Sequence, residues 1–233
     1  MFQKHSRTIL TLYNTPEEAT EAMNALGEYL HRLAAQHRSA SGDDLLSASV
    51  QRQEAAEMSD EDIVAMARLL LIAGHETTAN QIGLAVLALF EHLALLREDP
   101  TLAASAVEEL LRYQSIARTS MSRVAIADVP LPGGQTIRSG DGIVLAIKSA
   151  NHDPDFLPEP DDLDIRRTAR GHVAFGYGVH QCVGQAPARL ELQIALTELL
   201  RAFPDLRPSR PLEETRLRDS TAVLGLWELP VTW

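Results

Sequence analysis

The stretch Phe175-Gly176-Tyr177-Gly178-Val179-His180-Gln181-Cys182-Val183-Gly184-Gln185-Ala186 places the chain's single cysteine among three glycines, immediately before a helical pattern. Glycines this close together let the backbone turn sharply and approach something flat or bulky, because they carry no Cβ and tolerate positive φ. The run that follows, Pro187 to Leu200, keeps apolar residues at helical spacing, and a proline in the first turn sacrifices no hydrogen bond. Cys182 is therefore predicted at or just before a helix N-terminus. A sulfur there meets unpaired N–H groups and the positive end of the helix dipole, which favour the thiolate. A thiolate binds soft or borderline metals, whereas a lone cysteine taken by itself is more often a small buried apolar residue.

The pattern Phe-Gly-x-Gly-x-His-x-Cys-x-Gly, filled by residues 175–184, resembles the haem-ligand loop of the cytochromes P-450. The resemblance implies haem b (iron protoporphyrin IX) with Cys182 as axial thiolate and metal ligand. Phe175, Gly176, His180 and Gly184 would surround the haem, and His180 would donate to a propionate.

Composition bounds the alternatives. A chain of 233 residues, 45% of them hydrophobic, is long enough to bury a full core and shows no internal repeat. A net charge of −11 argues against a nucleic-acid partner, since phosphate neutralisation needs clustered Lys and Arg. One cysteine excludes an intramolecular disulfide and suits a reducing cytoplasm. The start, Met1-Phe2-Gln3-Lys4-His5-Ser6-Arg7, lacks the features of a signal peptide, and no uncharged apolar run approaches the ~18 residues of a membrane span. The expectation is a cytoplasmic protein with no membrane anchor.

Along the chain, residues 1–14 carry no firm signal. Thr15-Pro16-Glu17-Glu18 is a capping box that opens a helix ending near residues 39–42, with Met23, Leu26, Leu30 and Leu33 on one side. A short helix is predicted around residues 44–51. Ser59-Asp60-Glu61-Asp62 opens a second capped pattern that runs without proline to about Leu96, a helix of roughly 50 Å. Glycine and a polar cluster, Gly74 to Gln81, interrupt its apolar surface, which is costly unless those groups are paired or solvated. After Asp99-Pro100 a helix restarts through Tyr113. Short strands are predicted at 122–127, 135–138 and 143–147, an ordered meander at 151–170, and a terminal hairpin within 223–231. The fold class expected is mainly α with a minor β-sheet.

Three further constellations stand out. His75-Glu76 invites comparison with the zinc motif His-Glu-x-x-His, but Ala79 occupies the second histidine's position, so that reading fails. Ala73-Gly74-x-Glu76-Thr77-Thr78 instead resembles the distal-helix signature of the cytochromes P-450. By that resemblance Ala73 and Gly74 border the haem, and Gly74 with the Thr77 hydroxyl opens the helix hydrogen bonding. Thr77 and Glu76 are then the catalytic pair, Thr77 holding dioxygen and a proton-donating water and Glu76 linking that water to solvent. The plainer alternative is a kinked helix whose threonine bonds back to a carbonyl.

Glu109-Leu110-Leu111-Arg112 puts opposite charges three apart on one helix face, ordinarily a solvated pair contributing roughly 0.2–0.5 kcal/mol. The resemblance makes Glu109 and Arg112 structural instead, tying their helix to the meander. It places Asp162 where a third, basic partner is usual, so Asp162 is a candidate to pair with Arg112 in place of Glu109. Arg123 stands where the family carries a propionate-binding arginine, though a strand arginine is more often a surface charge. The segment 116–121 and the turn at Val223-Leu224 are implied to line the substrate side. Arg166, Arg167, Arg170 and Arg189 form a local basic patch in an acidic chain, either solubilising or suited to docking an acidic electron donor.

From about residue 16 onward the order of motifs is similar to the C-terminal part of a soluble bacterial cytochrome P-450, the whole of 1–233 being one haem-binding domain with 1–15 unassigned. The family's N-terminal portion has no counterpart here. Two readings follow. One is a haem-thiolate monooxygenase that inserts one oxygen atom from dioxygen into a small organic substrate, with electrons from a ferredoxin or flavoprotein. The other is a truncated, catalytically silent relic, or one part of a split protein.

Overall fold

The computed structural model describes residues 2–54, 57–118 and 121–233. These fall into two compact units, Met1–Ala79 with Asp219–Ala222, and Asn80–Arg218 with Val223–Trp233.

The first unit holds helices α1 (Phe2–Leu10), α2 (Pro16–Ser39), α3 (Leu45–Glu54) and the N-terminal part of α4 (Asp60–Leu89). The start of α2 is set as its sequence predicts: Thr15 Oγ1 accepts from Glu18 N–H at 3.2 Å, and Glu18 Oε2 accepts from Thr15 N–H at 2.9 Å. Ser59 and Asp62 make the same reciprocal exchange at the start of α4. Helix α1 was not legible, because only a few of its residues are apolar. It is held by Phe2 and Ile9 against a core of Leu26, Leu30 and Val64. Burying each of those three contributes about 1.5–3 kcal/mol.

In the second unit the C-terminal part of α4 packs with α5 (Leu93–Glu98), α6 (Ala103–Gln114) and α8 (Gln185–Ala202), and the short α7 (Ile147–Asn151) follows the strands. Their shared core comprises Val86, Leu89, Leu93, Leu96, Val107, Leu110, Leu192 and Leu196, with Ile165 from the meander. The predicted single helix to Leu96 is two helices. A turn at Phe90–His92, with His92 N–H donating to Leu89 O at 2.7 Å, separates α4 from α5. Residues 86, 89, 93 and 96 keep a heptad-like spacing across this turn, so the apolar pattern carries no mark of the break.

Four two-stranded antiparallel ribbons complete the described unit: β1 (Met121–Val124) with β4 (Gly142–Leu145), β2 (Val129–Pro130) with β3 (Thr136–Ile137), β5 (Arg207–Pro208) with β8 (Val231–Thr232), and β6 (Leu217–Arg218) with β7 (Gly225–Leu226). The class is the mainly helical one expected. Two local expectations need correcting. Ile147 opens α7 rather than closing a strand, and the C-terminal residues do not form their own hairpin but pair back to 217–218 and 207–208. Loose alternation identifies a strand but leaves its partner open.

Candidate functional site

The cysteine loop belongs wholly to the second unit. Gly176 and Gly178 have φ of 74° and 81°, the left-handed region where glycine avoids a steric penalty. A Cβ on either would meet nothing within 4 Å, so the backbone conformation alone requires glycine, and the space beside both stays open. Gly176 N–H donates to Val173 O at 2.8 Å, and a 3₁₀ turn spans Gly178–His180. Cys182 N–H closes the loop on Phe175 O at 2.9 Å, and Gln185 N–H bonds Cys182 O as α8 begins. The sulfur thus lies just ahead of α8, as the sequence indicated.

Cys182 is exposed, which removes the buried-apolar reading. Tyr177, Val179 and Val183 around it are 90%, 98% and 83% exposed, an apolar collar that has no protein cover in this unit. Among the described residues no group of three or more His, Cys, Asp or Glu is arranged to hold a metal ion. One sulfur, open backbone on two glycines and flanking apolar side chains fit a haem.

Behind the loop stands a polar cluster that sequence reading missed. Glu108 on α6 accepts from Arg189 Nε at 2.5 Å and Arg189 Nη2 at 3.2 Å, and its Oε2 also takes His172 Nε2 at 3.1 Å. The His172 side chain is 1% exposed, and its Nδ1 accepts from Ala174 N–H at 3.2 Å, which assigns the proton to Nε2. Hydrogen bonding from His172, then from Arg189, lowers the Glu108 carboxyl from 4.5 to about 2, against the opposing effect of burial. The Arg189 guanidinium lies 4.6 Å from the centre of the Phe175 ring, and the His172 ring is 6.1 Å from it.

Glu109 and Arg112 are both completely buried and make a bidentate pair at 2.8 Å for each bond. Arg112 Nη1 also donates to the carbonyls of Asn151 and Pro160, both at 2.8 Å. The expected Asp162 pairing is not formed. Asp162 offers only its main-chain oxygen, at 3.4 Å, while Arg167 Nη1 approaches Glu109 Oε1 at 3.9 Å. Burying a second carboxylate here would cost far more than leaving Asp162 in water. Asn151, fully buried, was not singled out by sequence: its side chain donates to Ser115 Oγ and accepts from Val173 N–H, linking the end of α6 to the segment that leads into the cysteine loop.

The other sequence candidates are placed as follows. Thr77 lies in the first unit, on α4, which runs as α-helix without a break through residues 73–78. Its hydroxyl donates to Ala73 O at 2.6 Å. Glu76 is 6% exposed, and Ala73 and Gly74 are at the helix surface, with open space where a Gly74 Cβ would sit. Arg123, on β1, is exposed and donates to Ser122 O at 2.9 Å. His180 is exposed at the end of the 3₁₀ turn.

The predicted basic patch divides. Arg189 is held by Glu108, and Arg167 is largely buried against Glu159 O and Glu109, whereas Arg166 and Arg170 are exposed. Leu224 N–H bonds Ile116 O at 2.8 Å, which joins the two segments expected on the substrate side; residues 119 and 120 of the first lie outside the described residues.

The cytochrome P450 profile matches residues 2–98 and 96–222. This chain belongs to the cytochrome P450 family. It is 50% identical to cytochrome P450-SU2 of Streptomyces griseolus over 100% of its own length and 57% of that protein's. It is 46% identical to the 20-oxo-5-O-mycaminosyltylactone 23-monooxygenase of Streptomyces fradiae, covering 93% of the chain and 52% of the relative. Among solved structures, the mycinamicin VIII C21 methyl hydroxylase of Micromonospora griseorubida superposes with a TM-score of 0.93 at 42% identity, over 100% of this chain and 60% of that one. The chain thus spans less than two thirds of the length of these cytochromes P450. Among the described residues no helix is long and apolar enough to cross a membrane.

Proposed function

We propose that this chain carries the haem-thiolate centre of a cytochrome P450 monooxygenase acting on an organic substrate, with Cys182 as the iron ligand. The observation behind this reading is the exposed sulfur at the mouth of a loop with two left-handed glycines and an open, apolar rim. Bound haem supplies the activation of dioxygen. The chain's own residues divide the remaining work. Cys182 donates charge from its sulfur, Phe175, Gly176 and Gly184 shape the loop around it, and Arg123 and His180 provide donors for propionates. On α4, Ala73 and Gly74 leave room beside the helix, the Thr77 hydroxyl orders a water, and Glu76 relays protons to it.

Electrons come from a ferredoxin or flavoprotein. Arg166 and Arg170 are the arginines of the patch left free to meet its acidic surface. Arg166→Glu/Arg170→Glu slows reduction by such a donor, and the defect shrinks as salt rises.

The test is the absorption spectrum of the purified protein, supplied with haem, reduced and treated with carbon monoxide. The red-shifted Soret band of a thiolate ligand is expected from the parent and is lost in Cys182→Ser. A pigment that keeps its spectrum in Cys182→Ser overturns the assignment. A parent that takes up no haem leaves the second reading, a chain that is silent alone or that needs another to complete it.

A further inference from the structure

Phe175 supplies the carbonyl that accepts the Cys182 N–H, so the placing of its ring bears directly on the loop. Two side chains pack on that ring, Arg189 from α8 and His172 from the meander. Both are bonded to the same carboxylate, Glu108 on α6. The guanidinium's plane is fixed by two bonds to one carboxylate, and the imidazole's orientation by Glu108 on one side and Ala174 N–H on the other. Neither group can leave the ring without breaking a charge-assisted hydrogen bond.

We infer that Glu108 is a positioning residue for the cysteine loop: through Arg189 and His172 it clamps the Phe175 ring and so holds the Phe175–Cys182 main-chain bond closed. The inference deepens the haem-thiolate reading by naming what aims the sulfur. It concerns Glu108, which is remote from Cys182 in sequence and is linked to it through this chain of contacts. An ion pair that merely braced α6 against α8 would stabilise both helices equally and leave the loop no more protected than they are.

Amide hydrogen exchange in the full chain separates the two roles. Glu108→Gln is nearly isosteric but uncharged and keeps one accepting oxygen, so it cannot accept from Arg189 Nε, Arg189 Nη2 and His172 Nε2 together. It is expected to lower protection of the Cys182 amide about ten-fold, with amides in the interior of α8, such as Leu192, changing less than about two-fold. Glu108→Leu/Arg189→Met replaces the pair with apolar groups of similar size, which keeps the helix packing. It is expected to give the same selective loss at Cys182, and it serves if Glu108→Gln folds poorly. Equal loss at Cys182 and Leu192, or an unchanged Cys182 amide in both variants, overturns the inference. The readout is a main-chain N–H and not a Soret band. A parent without the thiolate spectrum would therefore sink the haem reading while a selective loss at Cys182 still upheld the clamp.

Discussion

Removing the carboxylate of Glu109 breaks the one ion pair among the described residues whose two side chains are both completely buried. In Glu109→Ala the Arg112 guanidinium stays completely buried and loses both of its 2.8 Å bonds to the carboxylate. Breaking a buried pair from one side costs about 3–5 kcal/mol. Against a total stability of about 5–15 kcal/mol, that is about a fifth or more of what holds a typical domain together. Asp164 N–H also loses its acceptor, which adds to the cost. Urea unfolding followed by circular dichroism reads this as a midpoint lowered by about 1–2 M.

An apolar replacement of both partners, Glu109→Leu/Arg112→Met, is neutral for many isolated buried pairs. Here it is not expected to be, because Arg112 is also the donor for the Asn151 and Pro160 carbonyls, and each orphaned buried acceptor costs about 1–3 kcal/mol. The double variant should stay at least about 2 kcal/mol below the parent. A Glu109→Ala protein within about 1 kcal/mol of the parent would refute the reasoning outright.

Other perturbations test other parts. The Glu108 carboxyl is lowered from 4.5 to about 2, so the stability it confers is complete above about pH 4.5 and is lost as pH falls through about 2. The lowering corresponds to at most about 3 kcal/mol, and partial exposure reduces this to about 1–2 kcal/mol. The gap in urea stability between the parent and Glu108→Gln should narrow across that window, and a constant gap would contradict the assignment. Gly176→Ala forces a Cβ into the left-handed region without meeting any neighbour, so about 1–2 kcal/mol of backbone strain should appear as roughly ten-fold faster exchange at Cys182, and Gly176→Asn should cost less. Gly74→Ala sits in a helix with open space at its Cβ and should raise stability by about 0.5–1 kcal/mol. Loss of turnover alongside that gain would support a role for Gly74 in oxygen handling; a gain with no loss would remove it.

What the sequence disclosed and what it hid follow from the range of the forces involved. Thr15 with Glu18, and Ser59 with Asp62, are bonds between residues three apart, and both helix starts fall where these pairs predict. The cysteine loop was equally legible, since its turns come from glycines within the loop itself. The α4–α5 break was hidden by an apolar spacing that continues through it, and the last strands were visible while their partners at 207–208 and 217–218 were not. Of the buried Glu109–Arg112 cluster, half was readable. Glu109 and Arg112 share one helix face, but Arg167, Asn151 and the carbonyls that complete their environment come from a meander whose path no local pattern fixes. Glu108, His172 and Arg189 are spread over 81 positions. Sequence alone puts Arg189 in a local basic patch for that reason, whereas its guanidinium is bonded to Glu108 within the unit.

Asn151 ties the approach to the cysteine loop back to the helices before it. Its carbonyl is engaged by Arg112, its amide by Ser115, and only its remaining oxygen reaches Val173 at the threshold of the loop. One anchor of the loop's approach therefore depends on the end of α6 and on α7 together. A substitution that strips Asn151 of one partner is therefore felt on both sides of that junction, at the end of α6 and at the threshold of the loop.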